Sequence, residues 1–322
     1  MLTPERLRLL QTVGRTQSYS AAARELGFTQ PAISYQMRSL ERDVGTPLTV
    51  RVGTAMHLTS AGQSLLEHAD RILSAVRAAE RDLAVLVGSN AGTVRIGAFP
   101  SSCATVVPAA MATLRRELPA VEVRLLQAEP PQCHDLVRRG ELELAVTYRF
   151  DAVGGGGAVF GGSAVGGGGA MGVAGVPPDA RLGQPSRLPL FVDQVRLVLP
   201  VDHPAARRRR IELTELADHT WILASRRFED LLRGAAVRAG FEPRIMLVAD
   251  DYVVMQSLVA HGLGITLVPE LALSAHRDDR LVARTLVGWP DRQVEVELWP
   301  DQLRVPAVAA MVEGLKWAAP AV

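Results

Sequence analysis

Lysine and asparagine are almost missing from this 322-residue sequence: Lys316 is the only lysine among 35 basic residues, and Asn90 is the only asparagine. Cysteine is also rare, and the pair Cys103 and Cys133 cannot build the disulfide framework of a small secreted domain. An excess of one charge is absent too, because 35 basic and 34 acidic residues leave a net charge of +1. This balance excludes a wholly basic protein but allows a basic patch on one domain.

Long apolar runs are also absent. The N-terminal segment MLTPERLRLL is charged and helical and lacks the apolar core of a signal peptide. The uncharged stretch 152–178 is rich in glycine and lacks leucine and isoleucine, which argues against a membrane span. We therefore expect a cytoplasmic protein without a membrane partner. With 48% hydrophobic residues, the chain is long enough for two or three domains with sizeable cores.

Residues 1–58 show the pattern of a small helical domain that ends in a hairpin. Leu7, Leu10 and Val13 fall on one face of a first helix. Ser20 is placed to cap a second helix, which a glycine then ends. We therefore expect two short helices in close succession at the start of the chain.

A third helix is predicted after Thr29, which is placed to cap it, with Pro31 in the first turn where proline is tolerated. Two short strands, 48–51 and 56–58, then form a hairpin, or wing, around Gly53. Two helices joined by a tight turn that contains glycine make a helix-turn-helix, whose second helix enters the major groove of DNA.

The outward face of this third helix carries side chains that suit base contacts. Glutamine and serine exchange hydrogen bonds with bases, proline contacts a thymine methyl group, and arginine suits guanine or phosphate. An arginine in the wing is placed for a backbone phosphate, and residues 1–62 carry seven arginines against four acidic residues. The predicted DNA-binding residues are Gln30, Pro31, Ser34, Tyr35, Arg38 and Arg51.

A long linker helix is predicted over 59–88, and its apolar residues recur in steps of three and four. This narrow stripe favours a coiled-coil seam between two copies of the chain, and the alternative is a helix that packs on its own domain. The stripe consists of Gly62, Leu65, Ala69, Ile72, Val76, Ala79, Leu83 and Leu86.

From Thr93 onward the pattern changes to alternating strands and helices, which predicts parallel sheets with crossover helices. A helix is expected at 210–216 within this alternation. The resulting two-lobed α/β domain spans 93–322. We assign about 93–148 and 268–322 to lobe I and about 189–265 to lobe II.

Between the lobes lies a glycine-rich segment at about 151–188, with GGGG at 154–157 and again at 166–169. Its composition predicts a flexible insertion. A phosphate-binding glycine loop is the alternative, but such a loop needs a strand before it and a helix after it.

Ligands of paired α/β lobes bind between the lobes, at the carboxyl ends of strands and near helix N-termini. Hydroxyls and free N–H groups at such positions bind carboxylates, and helix capping is the alternative role for each single residue. One candidate stretch runs from Gln127 to Pro131. The predicted effector-binding residues are Ser101, Ser102, Cys103, Gln127, Thr147, Tyr148, Ala224, Ser225 and Asp250.

Several segments in combination resemble the LysR-type transcriptional regulators. They are SYSAAARELGFTQPAISYQMRSLERDVGTPL, the wing arginine at 51, LTSAG at 58–62, VRIGAF, ELELAV, LVLPVDHPAA and LVAHGLGITLVP. The resemblance implies a winged helix-turn-helix, a linker helix that dimerises, and a two-lobed effector domain of the periplasmic-binding-protein type. It also implies a bacterial homotetramer on duplex DNA and a small-molecule effector, often an organic acid. RNA polymerase is a further candidate partner.

Two other functions stay open at this point. A thiol-based redox sensor would use Cys103 and Cys133, each near the start of a helix, where a thiol pKa is lowered. An enzyme built on the α/β domain would need a nucleophile or metal motif, and no G-x-S-x-G, HExxH or metal-ligand spacing occurs. We therefore expect no catalytic residues, no metal and no cofactor.

Overall fold

The computed structural model describes residues 1–86, 92–150 and 184–320. Its N-terminal part contains helices α1 (Pro4–Thr16), α2 (Tyr19–Leu26) and α3 (Gln30–Val44) and strands β1 (Thr49–Val52) and β2 (Ala55–Leu58). The two strands pair antiparallel, which confirms the predicted wing. The predicted apolar face of α1 is also confirmed, since Leu10 and Val13 form one buried core with Ile33, Met37 and Leu40 of α3, and Leu7 is buried beside Ala69 and Leu73.

The caps of these helices follow the prediction in one case and correct it in the other. The hydroxyl of Thr29 accepts from the Ala32 N–H at 3.4 Å, as expected for the cap of α3. Ser18, not Ser20, caps α2, accepting from the Ala21 N–H at 3.3 Å. The earlier start brings Tyr19 into the helix, where its hydroxyl shares a 2.8 Å hydrogen bond with the Thr49 hydroxyl of the wing.

Helix α4 (Ser60–Leu86) is the predicted linker helix, and its apolar stripe divides into two parts. Leu65 and Ala69 pack beside Leu7 of α1, so this part packs on its own domain. By contrast, Ile72 is 43% exposed and Ala79 is exposed. Leu83 and Leu86 lie outside the residues whose side chains the structure describes. Ile72 and Ala79, seven residues apart, therefore form the part of the stripe that stays open in a single chain.

Gly62 belongs to the stripe for a steric reason. A Cβ atom at this position would lie 2.0 Å from the main-chain oxygen of Leu48, so any larger residue would push α4 away from the wing.

Within the described ranges, no helix combines the length and the apolar character that a membrane crossing requires.

Two mixed sheets follow the linker helix. The first contains β3 (Thr93–Ala98), β4 (Glu122–Gln127), β5 (Leu144–Phe150), β6 (Ser186–Asp193) and, from the far end of the chain, β13 (Arg292–Leu298). The second contains β7 (Val195–Pro200), β8 (Arg210–Ile211), β9 (Thr220–Leu223), β10 (Arg244–Val248), β11 (Ile265–Pro269) and β12 (Leu281–Leu286). The strand orders are β4-β3-β5-β13-β6 and β10-β9-β11-β7-β12-β8.

Seven helices accompany the sheets in the described ranges: α5 (Pro100–Cys103), α6 (Val106–Glu117), α7 (Pro130–Arg138), α8 (Arg226–Ala239), α9 (Tyr252–Ala260), α10 (Glu270–Ala275) and α11 (Pro306–Trp317). Each sheet has its own core, with Ile96, Val146 and Met311 in lobe I and Trp221 and Phe228 in lobe II.

The strand pairing corrects the expected division of the lobes. The segment 281–286 pairs with β7 and so belongs to lobe II, whereas β6 pairs with β13 in lobe I. The chain therefore crosses between the lobes at Gln194 and at 287–291, and the glycine-rich insertion expected to reach residue 188 ends before Ser186, where β6 begins. Alternation of strands and helices does not reveal which strands pair, and the returning strands make the sheets mixed rather than parallel.

The helix expected at 210–216 is also corrected. Arg210 and Ile211 form a short strand beside β12, and Leu213–Leu216 is a single 3₁₀ turn. The paired strand satisfies the backbone at 210 and 211, which leaves too few residues for a helix.

Candidate DNA interface and effector cleft

The predicted base-contacting residues lie on the side of α3 that faces away from the helical core. Gln30, Pro31 and Arg38 are exposed, Tyr35 is 63% exposed, and Ser34 is half-buried. The exposed side chains begin at the first turn of α3, which is the part of a recognition helix that meets base edges.

The arginines of this region differ in whether a carboxylate neutralises them. Arg38 and Arg51 each donate Nε–H to a main-chain carbonyl at 3.2 Å, and neither has a carboxylate partner among the residues that the structure describes. Arg15, in contrast, is ion-paired with Glu25. Arg38 lies on the recognition helix and Arg51 on the wing, where phosphate contacts are expected.

The wing is fixed to α3 by one carboxylate. Glu41 Oε1 accepts from the Leu48 N–H, the Thr49 N–H and the Thr49 hydroxyl, each at 3.0 Å. These hydrogen bonds hold the start of β1 against the recognition helix, so the wing and the helix present one rigid surface.

Arg292 occupies the junction between the lobes and is only 1% exposed. It begins β13, and its Nε–H donates to Asp193 Oδ2, with a nitrogen–oxygen distance of 3.1 Å. Its Nη2 donates to the Ser101 hydroxyl at 2.9 Å. From lobe II, Tyr252 lies within the electrostatic reach of the same guanidinium, and burial raises the pKa of Tyr252 to about 12. One buried arginine therefore holds Asp193 and Ser101 of lobe I together beside the crossings.

Aromatic rings continue from this arginine into lobe II. Edge-to-face contacts join Phe99 to Tyr148, Tyr148 to Phe150 and Phe150 to Phe228, with centroid distances of 4.9, 5.6 and 5.3 Å. The Arg292 guanidinium lies 4.8 Å from the Phe99 centroid and 4.6 Å from that of Tyr148. Such contacts depend on geometry, so a change in the angle between the lobes would disturb them.

Two charged side chains approach Tyr148 from opposite lobes. Arg227 of α8 lies over the Tyr148 ring at 5.3 Å and over the Phe150 ring at 5.4 Å. Glu129, just before α7, accepts from the Tyr148 hydroxyl at 3.0 Å. Burial raises the pKa of Glu129 and Asp250 acts in the same sense, although the Tyr148 hydrogen bond and the two arginines oppose them.

The structure brings only some of the predicted effector residues together. Ser101 and Tyr148 both contact Arg292, but the Ser102 hydroxyl donates to the Phe99 carbonyl at 2.7 Å, a local turn contact. The Ser225 hydroxyl oxygen precedes α8 and has no partner in the part of the chain that the structure describes. Of the other predicted effector-binding residues, Ala224 and Thr147 are buried, Cys103 is half-buried, and Gln127 and Asp250 are exposed.

Sequence reasoning missed four residues of this site: Asp193, Arg227, Tyr252 and Arg292. None lies in a recognisable motif. The sequence alone does not show whether an arginine in a strand is buried, because burial depends on which segments pack around it. Glu129 lies inside the candidate stretch from Gln127 to Pro131, and its position after β4 was the available signal.

Family models match both parts of the chain. The model for the bacterial regulatory helix-turn-helix protein of the lysR family matches residues 4–63, and the LysR substrate binding domain matches 87–153 and 173–319. The chain belongs to the LysR family of transcriptional regulators.

Named relatives and solved structures agree with this assignment. The LysR-family chain is 30% identical over 328 residues to the regulator CbbR of Xanthobacter flavus, covering 98% of this chain and 87% of CbbR. It is 25% identical to the regulator YybE of Bacillus subtilis, covering 90% and 89%. Full-length OxyR of Pseudomonas aeruginosa superposes with a TM-score of 0.61 at 20% identity, covering 99% and 97%. ArgP of Mycobacterium tuberculosis gives 0.61 at 21%, covering 100% and 99%.

The thiols of this LysR-family chain lie in surroundings that disfavour the thiolate. Cys103 and Cys133 donate to main-chain carbonyls at 3.3 and 3.4 Å. Burial raises the pKa of Cys103 to about 11 and that of Cys133 to about 12. Because the thiolate is the reactive form, these surroundings argue against the predicted redox role of the two thiols. The relatives are named as transcriptional regulators, so the chain is a regulator rather than an enzyme.

Proposed function

We propose that a small-molecule effector, bound between the two lobes, modulates how this LysR-family regulator binds its operator. The observation that carries the proposal is the contact of Arg227 of lobe II with Tyr148 of lobe I, whose ring also faces the buried Arg292 beside the crossings. A ligand that changes these contacts would favour one relative angle of the lobes over another.

For DNA, we propose that residues 1–58 form the binding domain. The residues proposed to contact DNA are Gln30, Pro31, Ser34, Tyr35, Arg38 and Arg51. The exposed face of α3 supports base contacts, and the arginines without carboxylate partners support phosphate contacts.

For the effector, we propose a molecule with one carboxylate and, at its other end, a neutral or positively charged group. Arg227 has aromatic faces and a main-chain carbonyl as its contacts, with no carboxylate partner among the described residues. Ser225, at the start of the same helix, also has an unpartnered hydroxyl oxygen there. Both groups suit an anion. Glu129 of lobe I contacts the same tyrosine as Arg227, so it would repel a second acidic group on the ligand.

For assembly, we propose a homodimer through the open part of the α4 stripe, with tetramers formed from two dimers. Ile72 supports this proposal because a large apolar side chain is left 43% exposed on a helix of heptad character. We propose the cytoplasm as the site of action, where duplex DNA is available to a bacterial regulator.

The effector proposal is tested by thermal shift of the full-length protein with size-matched monocarboxylic, dicarboxylic and amino acids. We expect stabilisation by members with one carboxylate, and loss of that stabilisation in Arg227→Ala. Arg226→Ala is the matched control, because Arg226 is the exposed neighbour of Arg227 on α8. A full shift retained in Arg227→Ala, or a clear preference for dicarboxylic acids, would contradict the proposed binding mode.

A further inference from the structure

A buried carboxylate on the linker helix connects three parts of the molecule. Asp70 of α4 is 4% exposed. Its Oδ1 accepts from Gln11 Nε2 of α1 at 2.6 Å, and its Oδ2 accepts from Arg138 Nη2 of α7 at 2.7 Å. The DNA-binding part, the linker helix and lobe I therefore meet at a single side chain.

Helix α7 joins this junction to the effector cleft. The helix has nine residues, which corresponds to a length of about 14 Å. Glu129 precedes its first residue and contacts Tyr148 in the cleft, whereas Arg138 is its last residue. Cys133 and Val137 are fully buried along it, and Trp299 Nε1 donates to the Val137 carbonyl at 2.9 Å. A short helix packed in this way moves as one body, so a displacement at Glu129 reaches Arg138.

The negative charge of Asp70 makes this junction depend on Arg138. Burial raises the pKa of Asp70, and the hydrogen bond from Gln11 and the charge of Arg138 oppose that shift. Loss of Arg138 would leave the buried carboxylate hydrogen-bonded only to the neutral Gln11, which is unfavourable. Contact between α1 and α4 does not require this polar group, because Leu7, Ala69 and Leu73 already pack there.

We infer that Asp70 is a positioning residue that couples the effector cleft to the DNA-binding domain, through α7 on one side and Gln11 on the other. This inference rests on the proposed function, in which the cleft is a regulatory site. Coupling between two sites is reciprocal, so DNA binding must also alter α7. The coupling can therefore be measured with DNA alone, before an effector is identified.

The probe is a duplex enriched from a random-sequence pool by the full-length wild-type protein. Hydrogen exchange of peptides covering 129–138 is measured with and without this duplex, together with the affinity for it. In the wild type we expect DNA to change the exchange rate of these peptides by about fivefold or more. Asp70→Asn keeps the shape and an acceptor for Gln11 but removes the charge that holds Arg138.

We expect Asp70→Asn and Arg138→Gln to bind the duplex with an affinity within about threefold of that of the wild type, a cost below 1 kcal/mol at 25 °C. We also expect both variants to lose the DNA-dependent change in hydrogen exchange at 129–138. The control Arg71→Gln also removes a charge from α4, at the exposed neighbour of Asp70, and should keep the change. If the change persists in Asp70→Asn, or disappears only because DNA binding or folding is lost, the inference is overturned. A wild type that binds DNA without any change at 129–138 overturns the coupling alone, whereas a wild type that enriches no duplex overturns the proposed function as well.

Discussion

Replacing Arg292 with methionine should destabilise the effector domain far more than an ordinary surface change. Methionine has a similar length, so the main effect is to leave Asp193 buried, with its side chain 2% exposed, and without its cation. The Leu271 N–H, 3.0 Å from Asp193 Oδ1, would remain as a neutral donor. Breaking a buried ion pair in this way costs about 3–5 kcal/mol. For a domain of this size, the loss corresponds to a fall in Tm of about 6–20 °C.

Tryptophan fluorescence offers a selective assay for this prediction. All four tryptophans lie between residues 221 and 317, so the signal follows the two lobes and not the DNA-binding domain. Adding Asp193→Asn to the Arg292→Met variant should recover part of the loss, because it removes the unpaired charge. A Tm for Arg292→Met within about 2 °C of the wild type, or no recovery in the double variant, would refute the role of this buried pair.

Three further predictions concern DNA, assembly and pH. Arg51→Ala should lower the slope of log affinity against log salt by about one unit, whereas Arg15→Ala, which removes an arginine paired with Glu25, should leave the slope unchanged. Ile72→Asp should give smaller species in light scattering, since a charge in a paired seam costs several kcal/mol; unchanged species would exclude this seam. The raised pKa of Glu129 stabilises the fold at low pH, and this contribution is lost as pH rises through that pKa. Relative to Glu129→Gln, wild-type unfolding free energy should therefore fall as pH rises from 4.5 through the raised pKa of Glu129, by about 1.4 kcal/mol for each unit by which that pKa exceeds 4.5. A constant difference between the two proteins in urea titrations would contradict this.

The helical domain was predictable because its signals are local. The cap at Thr29, the proline in the first turn of α3 and the buried stripe of Ile33, Met37 and Leu40 depend only on neighbours in sequence. Ser18 rather than Ser20 caps α2, and the hydroxyl of Tyr19, which is thereby inside the helix, reaches Thr49 of the wing. A contact between residues 30 positions apart leaves no trace in a capping pattern.

The effector cleft was only partly predictable because its centre forms from distant segments. Ser101 follows from the rule that ligands bind after strands, and this rule needs only local sequence. Arg292 meets Ser101 across 191 positions and Asp193 across 99, and both contacts depend on which strands pair. The same pairing decides that 281–286 belongs to lobe II. Periodicity identifies strands, but it does not identify their partners.

The central claim is that a ligand in the cleft changes how the recognition helix and wing engage DNA. The most direct test is a nuclease footprint on the enriched duplex, with and without a ligand that stabilises the protein in the thermal shift panel. We expect the ligand to alter the footprint of the wild type and of Arg226→Ala, and to leave that of Arg227→Ala unchanged. A ligand that stabilises the wild type and leaves its footprint and affinity the same would contradict the claim.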